Sequence, residues 1–225
     1  MSGHDQTFGV LSIFDEEPVL TEGGRLQWVP VRRRLGIGAF GTNAFRATAA
    51  GEPVVEDHEE SPGQEELYVV VRGRAEFLIG DERVEATAGT VVFVPEPGVR
   101  RRAVALEDGT AVLAVGGWRG RPYHSLPWEP IYLAQHFMQS GDWETAAETL
   151  EREAGEHLDT AIVQFRLACC HARAGRHDLA MSKLARAIDI NPDMRQRAEQ
   201  EEHLEALHSH PAWASVMSST SATGD

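Results

Sequence analysis

The chain has 225 residues, of which 42% are hydrophobic and 25% charged, the balance of a globular protein with enough apolar material for one large domain or two small ones. Its 35 acidic residues against 21 basic ones leave a net charge of −14, which repels phosphate backbones and anionic lipid and excludes nucleic acid as an expected partner. The two cysteines, Cys169 and Cys170, are neighbours and make no disulfide framework, and no apolar run approaches ~18 residues, so a cytoplasmic protein without a membrane span is expected.

From about Phe8 to Gly117 the chain reads as short strands cut by Gly and Pro: LQWVPV, GIGAFGTNAF, ELYVVVRG, RAEFLIG, RVEATAG, TVVFVP, RRAVAL and TAVLAVGG. IGDERVEA and EDGTAVL have the look of hairpin connections. Many short strands at this spacing predict an antiparallel barrel or sandwich. Within ELYVVVRG, strand alternation places Glu66, Tyr68 and Val70 on one face and Leu67, Val69 and Val71 on the other. On an earlier strand Asn43 and Phe45 share a face. VRRR at 31–34 and RRR at 100–102 are basic clusters in an acidic protein, suited to pairing with carboxylates or facing a partner subunit.

GWRGRPYHSLPWEP follows as a linker rich in Gly, Pro and Trp. Beyond it the apolar residues recur at helical spacing in two Ala-, Leu- and Glu-rich runs, each broken near its middle by a glycine. Those glycines, Gly141 and Gly175, stand 34 residues apart, the period of a helix–turn–helix repeat. Small Ala146, Ala180 and Ala187 suit close helix packing, and Pro192 ends the second unit. This half resembles a tetratricopeptide array of two repeats, with EEHLEALHSHPAWASVM as a closing helix whose Leu204, Leu207 and Trp213 turn inward. Fewer than three repeats rarely stand alone, so the array is expected to lean on the β half or on a second subunit. Phe165, Leu167, Cys169, Leu184 and Ile188 read as core, and His136, His157, His171 and His177 as surface or packing residues. The tail SSTSATGD reads as disordered.

The strand pattern of residues 36–117 resembles the cupin superfamily. The resemblance rests on Glu66, six residues and Gly73, and on Gly89, TVVFV, Pro95 and the following Glu96-Pro97-Gly98. It implies a small antiparallel β-barrel, a double-stranded β-helix of the RmlC-like type. The fold class expected is therefore multi-domain α and β: the barrel, then an α-helical hairpin repeat. The expected boundaries are an N-terminal segment at 1–35 with a strand joining the barrel, the barrel at 36–117, a linker at 118–130, the helical domain at 131–215 and a tail at 216–225.

The same resemblance locates a metal motif and shows where this chain departs from it. Counting back from Glu66, the paired-histidine slots fall on Glu60 and Pro62, or on Glu59 and Ser61; with a loop one residue longer they fall on His58 and Glu60. The last histidine slot is Arg100 by strict count, or Arg101 if Glu96 is an insertion. A guanidinium cannot donate a lone pair to a metal, and it can pair with Glu66 instead. No cofactor is therefore favoured; a divalent metal (Fe, Mn, Ni or Zn) held by His58, Glu60 and Glu66 is the alternative. The candidate pocket comprises Asn43, Phe45, Gln64, Glu66, Tyr68, Arg100 and Arg101, with no catalytic residue assigned. The expectation is a barrel that binds or senses a small, acidic molecule, and helices that dock a protein partner or a second copy of the chain, a homodimer included. The alternatives are a metal-dependent dioxygenase or isomerase, and a non-catalytic interaction scaffold.

Overall fold

A computed structural model describes residues 8–21 and 24–218. The chain divides between Ser125 and Leu126 into two compact units.

Among the described residues the first unit holds ten strands: β1 (Val19–Thr21), β2 (Leu26–Val29), β3 (Gly41–Arg46), β4 (Pro53–His58), β5 (Gln64–Arg72), β6 (Arg74–Ile79), β7 (Glu82–Thr87), β8 (Val91–Val94), β9 (Arg101–Ala105) and β10 (Ala111–Trp118). They form two antiparallel sheets, a six-stranded one in the order β1-β2-β3-β10-β5-β8 and a four-stranded one in the order β4-β9-β6-β7. After β3 the chain passes back and forth between them. One crossing is the turn at Gly73, which adopts φ +72°; a Cβ there would meet the Thr110 Oγ1 at 2.5 Å and its Cα at 3.0 Å. Thr110 is itself fully buried, and its hydroxyl sits within reach of the Arg74 amide, the Arg74 carbonyl and the Glu107 carbonyl. Residues 106–110, expected as a hairpin, make a second crossing: β9 lies in the small sheet and β10 at the centre of the large one. The expected hairpin at Gly80-Asp81 does form, pairing Ile79 with Glu82.

Alternation settles which side chains meet between the sheets. Tyr68 faces Ala114, and Ala114 faces Asn43 across β10; Val70, Val112 and Phe45 form the next row. From the small sheet Phe77, Ala103 and Val55 form one inner row and Ile79, Arg101 and His58 another. The Tyr68 and Phe77 rings lie 5.5 Å apart, one from each sheet, in the contact that closes the core.

Among the described residues an apolar cluster covers the outer face of the large sheet over β2, β3 and β10. After Pro30, which ends β2, the basic run becomes a short helix, α1 (Val31–Leu35), closed by Gly36 at φ +67°. Val31 and Leu35 join Leu11, Ile13, Val29, Ala44 and Leu113 in an apolar cluster over β2, β3 and β10. Arg34 pairs with Glu16 and donates to the Glu17 carbonyl at 3.1 Å. Residues 119–125 fold back on the same unit. Tyr123 packs on Gly41, where a Cβ would meet its ring at 2.7 Å, and the His124 ring stacks on Trp118 at 4.1 Å.

The second unit contains α2 (Trp128–Ser140), α3 (Trp143–Ala154), α4 (Ala161–Arg173), α5 (His177–Ile190), α6 (Met194–Gln200) and α7 (Trp213–Ser218). Two hairpins, α2–α3 and α4–α5, turn at Gly141 (φ +79°) and Gly175 (φ +75°) with the same hydrogen bonds. Gly141 and Asp142 donate to Met138 and Phe137, as Gly175 and Arg176 donate to Ala172 and His171. The equivalence at 34-residue spacing is thus structural as well as sequential. The closing segment is not one helix: Glu202–Leu207 is a 3-10 turn, and Pro211 separates it from α7. Leu204 and Leu207 are nonetheless fully buried against Phe165, Leu184 and Ile188, and Trp213 packs on the same cluster. Of the expected tail, 216–218 end α7 and 219–225 lie outside the described residues, as do 1–7 and 22–23 of the N-terminal segment.

Cys169 and Cys170 point into different cores. Cys169 packs with Phe165 and Leu184, Cys170 with Leu150 and Leu167. Neighbouring helix positions are about 100° apart, so the two thiols serve two layers rather than forming a pair. Burial pushes both thiols up, Cys170 to about 12, which leaves them un-ionised and inert.

His171 on α4 is buried, and among the described residues neither ring nitrogen has a hydrogen-bond partner, although the Glu151 carboxylate lies 3.8 Å away. Burial, then the charges of Arg176 and Lys183, hold its pKa below the usual value, against the pull of Glu151. A histidine whose native pKa is depressed contributes full stability above its unfolded pKa of about 6.5 and loses it as pH falls below that value. The helical unit is therefore expected to lose stability between pH 7 and 5, by at most one proton's worth, about 1.4 kcal/mol per pH unit. His171→Gln should flatten that slope in thermal melts; an unchanged slope would contradict it.

Candidate metal centre

One end of the β unit collects its polar inner residues. β5 carries Gln64, Glu66 and Tyr68 on a single face, and β4 brings His58 from the opposite sheet. Glu60 follows β4, its amide held by the Pro97 carbonyl at 2.9 Å. His58 Nε2 stands 3.5 Å from a Glu60 oxygen and 3.5 Å from a Glu66 oxygen. The ligand atoms of the three residues all lie within 4.8 Å of one another. His58 Nδ1 is 3.0 Å from the Glu56 carbonyl, and an N–H donated there fixes the ring and aims Nε2 at the carboxylates. Tyr68 donates its hydroxyl proton to Glu66.

The electrostatics of the bare cluster follow from burial and contact. Burial pushes His58 down, but hydrogen bonds to Glu60 and Glu66 outweigh it and hold the imidazole up at about 10. Burial, with the Glu60 charge, raises Glu66 against the opposing pull of His58. Glu60 is raised by burial and lowered further by His58, so its net shift is downward. Desolvation, then Glu66, drives the Tyr68 phenol well above its ordinary value, which keeps it a proton donor. Without an ion, an imidazolium is thus the counter-charge between two carboxylates.

The arginines sit otherwise than the sequence suggested. Consecutive residues entering β9 face opposite sides, so only one of Arg100 and Arg101 points inward. Arg100 is 63% exposed and donates to Asp57 at 2.7 Å on the outside. Arg101 is 0% exposed, yet it does not hydrogen-bond to Glu66; its Nη1 and Nη2 donate to the carbonyls of Pro97 and Glu96 at 3.0 and 3.3 Å. Among the described residues its Nε has no hydrogen-bond partner, and neither has the buried Gln64 Oε1. Asn43 and Phe45 lie on the inner face as expected from alternation, Asn43 in the row of Tyr68 and Phe45 one row deeper.

Gly116 is a contributor that sequence reasoning passed over. On β10 it pairs with Glu66 of the neighbouring β5, and a Cβ there would sit 3.2 Å from the Glu65 carbonyl and 3.4 Å from Glu66 Cγ. The signal was present: paired glycines inside a strand mark a close approach.

The donor set, one imidazole nitrogen and two carboxylates, suits a divalent first-row ion with open positions. Comparison with known proteins gives the following similarities. Residues 133–195 match the tetratricopeptide repeat family. The β unit is similar to cupin proteins of known structure. A cupin protein from Bacteroides fragilis is 18% identical, with TM-score 0.39, covering 54% of this chain and 92% of its own. A putative sugar phosphate isomerase from Acidithiobacillus ferrooxidans is 15% identical with TM-score 0.40, covering 48% and 73%. An uncharacterized protein of Streptomyces coelicolor is 28% identical over 105 residues, 47% of this chain and 90% of the relative. Among the described residues no helix is long and apolar enough to cross a membrane.

Proposed function

We propose that the β unit binds a divalent cation (Fe, Mn, Ni or Zn) through His58, Glu60 and Glu66, and with it a small acidic molecule, while the helical repeats dock a protein. The observation carrying the first part is the convergence of three ligand atoms within 4.8 Å, from both sheets and the loop after β4. Such an ion would act there as a Lewis acid for an oxygen-bearing ligand. The chain's own groups do the rest. Glu56 orients His58, Tyr68 fixes one oxygen of Glu66, and Gln64 Oε1 is a buried acceptor without a partner. Arg101 supplies a fixed positive charge beside the cluster, which favours an acidic ligand and weakens the hold on the cation.

The test is metal analysis of full-length protein purified without chelator or metal-affinity tag. Stoichiometric Fe, Mn, Ni or Zn should survive gel filtration and fall at least tenfold in both His58→Ala and Glu66→Ala. Metal-free protein that also takes up none of the four ions on dialysis would reject the cation, leaving the acidic small molecule alone as the reading of the mouth. A protein that binds neither would be a scaffold acting through its helices.

A further inference from the structure

Three consecutive arginines at the start of β9 wall a single cavity. Arg100, Arg101 and Arg102 line a space of about 210 Å³ together with Asp57, Leu78 and Gly80. Leu78 lies across from Arg102 on β6, and the Gly80 amide donates to the Arg100 carbonyl at 2.8 Å, so the turn after β6 forms one wall.

The three guanidinium groups are held differently. Arg101 is wholly buried, and its Nε has no hydrogen-bond partner among the described residues. Arg100 donates to Asp57 in a contact open to water; an exposed pair of this kind contributes little and exchanges readily. Arg102 is exposed on the same side of the strand as Arg100, and among the described residues it makes no hydrogen bond or ion pair. With Asp57 the one carboxylate in its lining, the cavity has a surplus of two positive charges in a chain of net charge −14.

We propose that this cavity binds a phosphate dianion, either free or carried on a small molecule. Guanidinium forks match phosphate oxygens with paired N–H···O bonds. A phosphate monoester carries a charge of about −1.5 to −2 near pH 7, which neutralises the surplus at one point; a dicarboxylate spreads the same charge over two ends. The volume lies below the roughly 300 Å³ at which cavities begin to enclose drug-sized ligands, so it suits one compact anion. The acidic chain repels that anion at long range, but salt screens charges more than about 10 Å away, and contact with the arginines decides. Arg100 and Arg102 face away from the core, whereas His58, Glu60 and Glu66 meet on its inner side, so this site is separate from the proposed cation.

The experiment is calorimetric titration of the full chain with inorganic phosphate, glycerol phosphate and succinate in turn. One phosphate per chain should bind, more tightly than succinate, and the tighter of the two phosphates gives the source. Arg102→Gln should weaken binding about tenfold or more. Asp57→Asn removes the carboxylate from the wall and should tighten binding about threefold. A gain cannot come from misfolding, so Asp57→Asn keeps the test decisive if Arg102→Gln is unstable. Glu66→Ala, which breaks the proposed cation site, should bind phosphate as the wild type does. A wild type that takes up no phosphate, succinate bound as tightly, a folded Arg102→Gln protein of unchanged affinity, or an Asp57→Asn protein no tighter than the wild type would each overturn the proposal. So would loss of binding in Glu66→Ala, which would move the phosphate to the mouth.

Discussion

Arg101→His is expected to bind divalent cations at least tenfold more tightly than the wild type, a gain of about 1.4 kcal/mol or more. Two effects act together. Arg101 pairs with His58 across β4 and β9 and is wholly buried, so its charge lies beside the cluster in a place water does not screen. Its removal lifts a repulsion on any cation held there, and an imidazole in the same inward position adds a fourth donor, itself neutral. The substitution also has a cost. The carbonyls of Glu96 and Pro97 lose the guanidinium donors they now have, and the ion-free protein should be less stable by roughly 1–3 kcal/mol. Arg101→Leu separates the contributions, since it removes the charge without adding a ligand and should give the smaller gain. Competition against a chelator measures the affinities. A folded Arg101→His protein that binds cations no better than the wild type would show that the guanidinium is not what limits the site.

Gly73→Ala is expected to destabilise the β unit by about 3 kcal/mol, read from urea unfolding at unchanged m-value. Left-handed backbone alone costs a residue with a Cβ roughly 1–2 kcal/mol. Gly73 adds a collision with backbone, because the new methyl would lie 3.0 Å from Thr110 Cα and Thr110 cannot withdraw without losing its contacts to Arg74 and Glu107. Gly80→Ala is the comparison. Its φ is also positive, at +57°, but the nearest atom to its Cβ is the Val99 methyl at 4.0 Å. That variant should lose only the conformational cost, about 1 kcal/mol. Equal losses at the two glycines would mean that the Thr110 contact carries no weight.

Where the sequence was readable and where it was not follows from what each signal encodes. Period-2 alternation fixes which side of a strand a residue faces, so Glu66 and Tyr68 were placed together correctly, as were Asn43 and Phe45. Alternation says nothing about which sheet a strand enters, and the 106–110 turn was read as a hairpin because Asp-Gly turns serve both hairpins and crossings. The arginine slot was legible as a position, but the direction of the Arg101 guanidinium was not. Its partners are main-chain carbonyls, which every residue possesses and which leave no trace in composition. His58 enters the sequence pattern as an alternative ligand only through the longer loop count; its contact with both carboxylates depends on β4 and β5 belonging to different sheets. Among the helices, the glycine spacing gave the hairpins directly because a left-handed C-cap needs glycine at that one place. The closing segment misled because apolar spacing continues through His210-Pro211, where the helix cannot.

The alternation of strands between sheets has a consequence for the order in which the protein is made. β10 lies between β3 and β5 yet is the last strand of its unit to be synthesised. Until residue 118 has left the ribosome, the large sheet exists only as two outer parts, β1-β2-β3 and β5-β8, with its middle missing. His58, Glu60, Glu66 and Tyr68 have all emerged by then, but the strand that backs them has not. A nascent chain therefore leaves the inner faces of both parts uncovered for the whole interval, and the large sheet can be completed only once β10 is made. Slow decoding before β10 prolongs that interval; slow decoding after it, in the stretch leading to the helices, gives the unit time to close.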